Sequence, residues 1–172
     1  TGLAPDYSDF SGAGYGSGKD FKFDAWRVAQ NVALDRYWGG AARAGAWPEA
    51  FAGELHAFFA AANASSKGAG YGNQFSLAGK QLSAGHSPGL VAMNAVAALA
   101  SSQAQAWDFV EELWRTQTPV GKWRYYDGCL YLLGWLHVSG KFRAWGATPA
   151  APTPAPPPTP PTPTPPPTPP TP

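Results

Sequence analysis

Asp24 is the carboxylate whose neighbours set it apart. It opens an apolar periodic run, flanked by Phe23 and Trp26, with Arg27 three residues on. On a helix that spacing brings a carboxylate and a guanidinium to one side of the first turn. Two readings are open. Asp24 is a helix N-cap with a surface ion pair, or it is a carboxylate held beside a cation and helix-end N–H groups, ready to take a proton from water. The other acids are plainer: Glu49, Glu54, Asp108, Glu111 and Glu112 fall on polar helix faces and read as solvated charges. A second cluster, Trp123-Arg124-Tyr125-Tyr126-Asp127-Gly128, reads as a helix cap with interfacial aromatics. A third, His86-Ser87-Pro88, reads as a capped helix start. His56, His86 and His137 have no nucleophile motif near them, so no Ser/His/Asp triad is arguable. Gly68-Ala69-Gly70-Tyr71-Gly72 lacks the lysine and the strand-then-helix context of a phosphate loop.

The elements that must hold these groups are helical. With Asp24 as cap, Ala25, Val28, Ala29, Val32 and Ala33 recur at spacings of three and four, and Gly39-Gly40 stops the run. A second helix starts near Pro48 and carries Phe51, Leu55, Phe58, Phe59 and Ala62 on one face. The glycine-rich polar segment from Asn63 to Gly89 is a loop of functional length. Ser87 and Pro88 then open a third helix along Leu90, Met93, Val96 and Ala100. Trp107, Val110, Leu113 and Trp114 predict the apolar face of a fourth, with Glu111 and Glu112 on its wet side. Tyr126 to Val138 is the fifth, ended by Gly140. The reading is all-α, with no strand and no short solenoid repeat.

Composition narrows the function. A formal charge of +1 offers no basic face for nucleic acid, the longest basic clusters being pairs such as Lys141/Arg143. No run is long and apolar enough to span a membrane. Cys129 sits alone in an apolar run and reads as a small buried side chain. The start at Thr1 has neither Met nor a signal-peptide pattern, which implies a mature or truncated chain. Eight Trp, seven Tyr and nine Phe suit either core packing or a carbohydrate cleft, where flat rings stack on the C–H faces of sugars. Fifteen of the 19 prolines fall in 149–172 with only Thr and Ala between them. Such a tract has nothing large to bury and reads as a stiff spacer. The expected division is a folded portion at 1–147 and a Pro/Thr linker at 148–172.

Several runs resemble one family. Phe23-Asp24-Ala25-Trp26-Arg27-Val28, followed by Ala33-Leu34-Asp35 and Trp38, resembles the Tyr-Asp-Ala-x-Arg segment of family 8 glycoside hydrolases. That family includes bacterial endoglucanases, chitosanases, lichenases and xylanases. Gly2-Leu3-Ala4-Pro5-Asp6-Tyr7 is similar to its Gly-Leu-x-Pro-Asp-aromatic stretch. His86-Ser87-Pro88-Gly89-Leu90-Val91-Ala92 also matches, and the runs Tyr125 to Leu133 and Leu136 to Gly140 resemble its last helix. The matches are collinear and cover about 1–146.

The resemblance implies an (α/α)6 barrel of which these five helices are the C-terminal half. It implies inverting hydrolysis of a β-1,4-glucan such as cellulose by two carboxylates, about 6.5–9.5 Å apart in enzymes of that type. Asp24 inherits the base, Arg27 its charge partner, Phe23 a sugar-stacking position where the family has Tyr, and Tyr126 and Tyr125 the cleft lining. The family's acid is a Glu in a Ser-Glu-Gly-x-Gly-Tyr-Gly-like motif. Gly70-Tyr71-Gly72 lacks that Glu, and all four glutamates lie on predicted helices. The isolated chain is therefore expected to be inactive. No cofactor or metal is implied. The expected partner is a polysaccharide, with a carbohydrate-binding module beyond the linker, and the expected setting is a secreted monomer. Rival readings are a family 8 chitosanase, for which Asp20 and Asp127 are the spare carboxylates, and a non-catalytic sugar-binding helical domain.

Overall fold

Lys22, not Asp24, stands at the cap position of the first helical turn. The chain enters through a 3-10 turn at Phe23–Ala25 that runs into α1 (Trp26–Ala44), so Asp24 lies inside the turn. The computed structural model describes residues 1–67 and 69–142, without the side chains of 41–44. The segment expected as a linker, 148–172, and Arg143 lie outside the described residues. The expected stop at Gly39-Gly40 is a break at Gly40 (φ 73°, ψ 168°), after which the helix resumes to Ala44. Glycine adopts that left-handed φ without a Cβ penalty.

The second helix, α2 (Trp47–Ser65), has Pro48 in its first turn and buries Leu55 and Phe59. A small antiparallel hairpin follows, β1 (Gln74–Phe75) and β2 (Gln81–Ser83). The expectation of no strand misses this hairpin, since strands of two and three residues are too short to show alternation. Phe75 also pairs with Phe21: each backbone N–H donates to the other's carbonyl, at 2.8 and 3.0 Å. The hairpin thus fixes the strand-like residues just ahead of Asp24. Phe21 and Phe75 are both buried beside Phe59.

Helix α3 (Pro88–Ala97) is the centre of the molecule. Every residue from Gly89 to Ala97 is buried, so it has no wet face. It packs on α1, on α4 (Ala106–Arg115) and on α5 (Arg124–Val138). Contact with α5 is close enough that a Cβ on Gly134 would come within 2.8 Å of the Ala92 Cβ. Ser87 precedes α3 but makes no side-chain cap; its hydroxyl instead accepts a hydrogen bond from Asn73 Nδ2 at 2.7 Å.

Helix α4 is turned relative to the sequence expectation. It buries Ala106, Phe109 and Leu113, while Trp107 and Trp114 are exposed. Trp114 packs edge-on to Trp135 of α5. The same rotation turns Glu112 inward, where its carboxylate accepts a hydrogen bond from Tyr71 Oη at 3.0 Å. Glu112 is therefore not the solvated charge expected. Cys129 is likewise exposed rather than buried, on a face of α5 that no described element covers. Among the described residues no helix is long and apolar enough to cross a membrane.

Candidate active site

The turn that carries Asp24 is held from three directions. The first is the segment before α1. Asp6 Oδ1 accepts the backbone N–H of Asp24 at 2.8 Å. A loop aspartate thereby satisfies one of the orphan donors of the helix start. The second is α5. Tyr126 Oη donates to the Phe23 carbonyl at 2.8 Å and lies 3.4 Å from Asp24 Oδ1. The third is α1 itself, through Arg27 Nη2, 2.7 Å from Asp24 Oδ1. With side chains 47% and 35% exposed, this pair contributes little stability, about 0–1 kcal/mol. Its effect is to orient the carboxylate.

Phe23 has φ 40°, a left-handed conformation that costs a bulky residue energy. The bond from Tyr126 to its carbonyl holds it there. The outcome is a Phe23 ring half-exposed above the site, tilted against the buried Trp26 ring at 6.0 Å. Trp26 in turn packs on Tyr126 at 5.9 Å. Three aromatic side chains thus form a continuous wall beside Asp24.

Electrostatics fix the hydrogen-bond directions. Burial, and then the Asp24 charge, pushes the Tyr126 phenol far above its ordinary range. The Asp24 carboxylate is also the main cause raising the Tyr7 phenol, whose Oη lies 3.4 Å from Asp24 Oδ2. Both phenols keep their protons at neutral pH and can only donate to Asp24. A carboxylate with donors on each oxygen, open to solvent at 35%, is equipped to accept a proton from water.

Of the residues expected at the site, Asp24, Arg27, Phe23 and Tyr126 come together. Tyr125 does not join them: it is 81% exposed and shares no hydrogen bond or ring contact with the other four. Two residues at the site were not singled out by spacing, Asp6 and Tyr7. Their only sequence signal is the Pro5-Asp6-Tyr7 run, which does not reveal a contact 17 or 18 residues away. Asp127, next to Tyr126, accepts the Gly89 N–H at 3.2 Å and ties the starts of α5 and α3 together; burial raises its carboxyl. Each glutamate is engaged elsewhere: Glu49 with Ser102, Glu54 with the N-terminal amine, Glu111 with Arg115 and Glu112 with Tyr71. A cavity of about 800 Å³ lies between α2 and α4 beside Tyr71, His86 and Glu112. It does not include Asp24. Among the described residues no three His, Cys, Asp or Glu side chains converge as metal ligands.

No family model matches the chain. Over 152 residues it is 36% identical to a reducing-end xylose-releasing exo-oligoxylanase of Paenibacillus barcinonensis, covering 84% of this chain and 38% of that protein. Its fold matches the crystal structure of a GH8 xylobiose complex from Teredinibacter turnerae with a TM-score of 0.74 and 38% identity, over 83% of this chain and 36% of that one. The chain belongs to glycoside hydrolase family 8. Endoglucanase A of Acetivibrio thermocellus is a further relative, 31% identical over 169 residues, covering 92% of this chain and 33% of that protein. The chain therefore spans only a little over a third of the length of the exo-oligoxylanases it matches. The five helices are part of the family's (α/α)6 barrel.

Proposed function

We propose that this chain supplies the base-bearing part of an inverting family 8 hydrolase of β-1,4-linked glycans. The observation that carries the reading is the Asp24 carboxylate held by Arg27, Tyr126 and Tyr7 beside the exposed Phe23 ring. In that reading a sugar ring stacks on Phe23 and a water sits at Asp24. The water oxygen bonds to the anomeric carbon, its proton goes to Asp24, and the glycosidic C–O bond breaks as a carboxylic acid protonates the leaving oxygen. The glutamates of this chain are engaged elsewhere, which supports an acid supplied from outside residues 1–172 and an isolated chain without turnover.

Two backbones are candidates. A xylan-type substrate is supported by the relatives at 35–36% identity and by the solved structures with xylobiose and xylohexaose at 38–40%. The expected β-1,4-glucan is supported by the endoglucanases at 31%. The Pro/Thr composition of 149–172 supports a spacer, export from the cell and a sugar-binding module beyond it. The test is Asp24→Asn in the full-length product of the gene, assayed on xylo-oligosaccharides, xylan and soluble β-glucan. Turnover should fall by about 100-fold or more, with the wild-type product released as the inverted anomer. Unchanged turnover removes Asp24 as base, and the preferred polymer in the same assay decides between the two backbones.

A further inference from the structure

The two oxygens of Asp24 are not equivalent. Oδ1 receives Arg27 Nη2 at 2.7 Å and faces Tyr126 Oη at 3.4 Å. Oδ2 has one neighbouring donor, Tyr7 Oη at 3.4 Å. With the guanidinium and the Tyr126 hydroxyl at Oδ1, Oδ2 is the oxygen with lone-pair sites open to a water.

Tyr7 is held in place by more than this contact. Its N–H donates to the Gly18 carbonyl and its carbonyl accepts from the Tyr15 N–H, both at 2.9 Å. Its ring lies against Gly18, where any Cβ would collide with ring carbons. Asp9 pins the tip of the same loop by accepting the Ser11 and Ala13 N–H groups at 2.8 and 3.1 Å. Asp6, the adjacent residue, grips the Asp24 N–H. Residues 6 and 7 therefore hold the backbone and the side chain of one residue from a braced loop. We propose that Tyr7 is a positioning residue for Asp24, holding Oδ2 as the oxygen that receives the proton of the attacking water. The inference rests on the function proposed above.

At 3.4 Å the hydroxyl is farther from Oδ2 than in an ordinary O–H···O bond, and the proposed role requires this contact to shorten when substrate and water fill the site. Tyr7 donates its hydroxyl hydrogen throughout and is not consumed. The proton lost by water ends on Oδ2 as the new C–O bond forms, and the glycosidic oxygen leaves with a proton from the acid.

The experiment uses Tyr7→Phe in the full-length gene product, with Tyr15→Phe as a control in the same loop and Asp24→Asn as the reference, each assayed on xylohexaose and on soluble β-glucan. Phe keeps the ring on Gly18, so the melting temperature should match wild type. On whichever substrate is turned over, Tyr7→Phe should lower kcat about tenfold with KM unchanged, and Tyr15→Phe should lower neither. A wild-type kcat for Tyr7→Phe overturns the proposal. A raised KM at wild-type kcat also overturns it, since the hydroxyl would then bind sugar rather than hold the base. If Asp24→Asn itself keeps full turnover, the underlying function falls instead, and the two failures are told apart.

Discussion

Tyr126→Phe removes one oxygen and tests how the base is aimed. That hydroxyl donates to the Phe23 carbonyl at 2.8 Å, the shorter of its two contacts at the site. A hydrogen bond of this kind contributes about 1 kcal/mol to stability. Tyr126 is only partly buried, so water can replace it in the variant, and the loss should not exceed that figure. The catalytic effect should be larger than the stability effect. Phe23 sits at φ 40°, a conformation costing about 1–3 kcal/mol. Among the described residues no other hydrogen bond from α5 holds Phe23, and Asp24 is the next residue. Misplacing a reacting group by an ångström costs up to about 100-fold in rate. Turnover of the full-length product should therefore fall 10- to 100-fold, while urea denaturation reports a loss of about 1 kcal/mol. A loss of stability with wild-type turnover would refute the idea that the tether aims the base. A rate loss matched by a loss of 3 kcal/mol or more would refute it differently, by showing general unfolding.

Gly134→Ala should cost about 1–3 kcal/mol by thermal or urea denaturation, because the added methyl meets the Ala92 Cβ at 2.8 Å and backbone on both sides limits the retreat. Stability should fall as pH drops from 7 toward 6. Burial lowers the folded-state values of His56 and His137, so the unfolded chain binds protons first, beginning near the ordinary histidine value of about 6.5. Burial of Glu112 and Asp127 raises their folded-state values, which works in the opposite direction. Denaturation midpoints that stay flat or rise between pH 7 and 6 would contradict the histidine assignment.

How much of this was readable beforehand depended on sequence distance. The Asp24–Arg27 pair was legible because three residues on a helix is a fixed geometry. Helices α2 and α3 announced themselves through Pro48, Pro88 and the spacing of their apolar residues. The rotation of α4 was not legible. Trp107, Val110, Leu113 and Trp114 make as regular a stripe as Ala106, Phe109 and Leu113, and only tertiary packing decides between them. Tyr126 reaches Asp24 across 102 residues, and its place came from the family resemblance rather than from any local pattern. Asp6 and Tyr7 approach through a loop with no regular period, so nothing in their spacing could mark them.

One arrangement at the site separates two duties that helix starts usually combine. Asp6, not Asp24, accepts the amide at the entry to α1. Position 24 is thereby released from capping the helix, and in the function proposed above its carboxylate is free to serve as the base. Asn, Ala or Ser can be placed there without uncapping a helix. If the proposed function holds, such full-length proteins should remain folded and still hold the glycan at the exposed Phe23 ring, which makes residue 24 the place to build an inert, substrate-retaining form for trapping the intact polymer in a crystal.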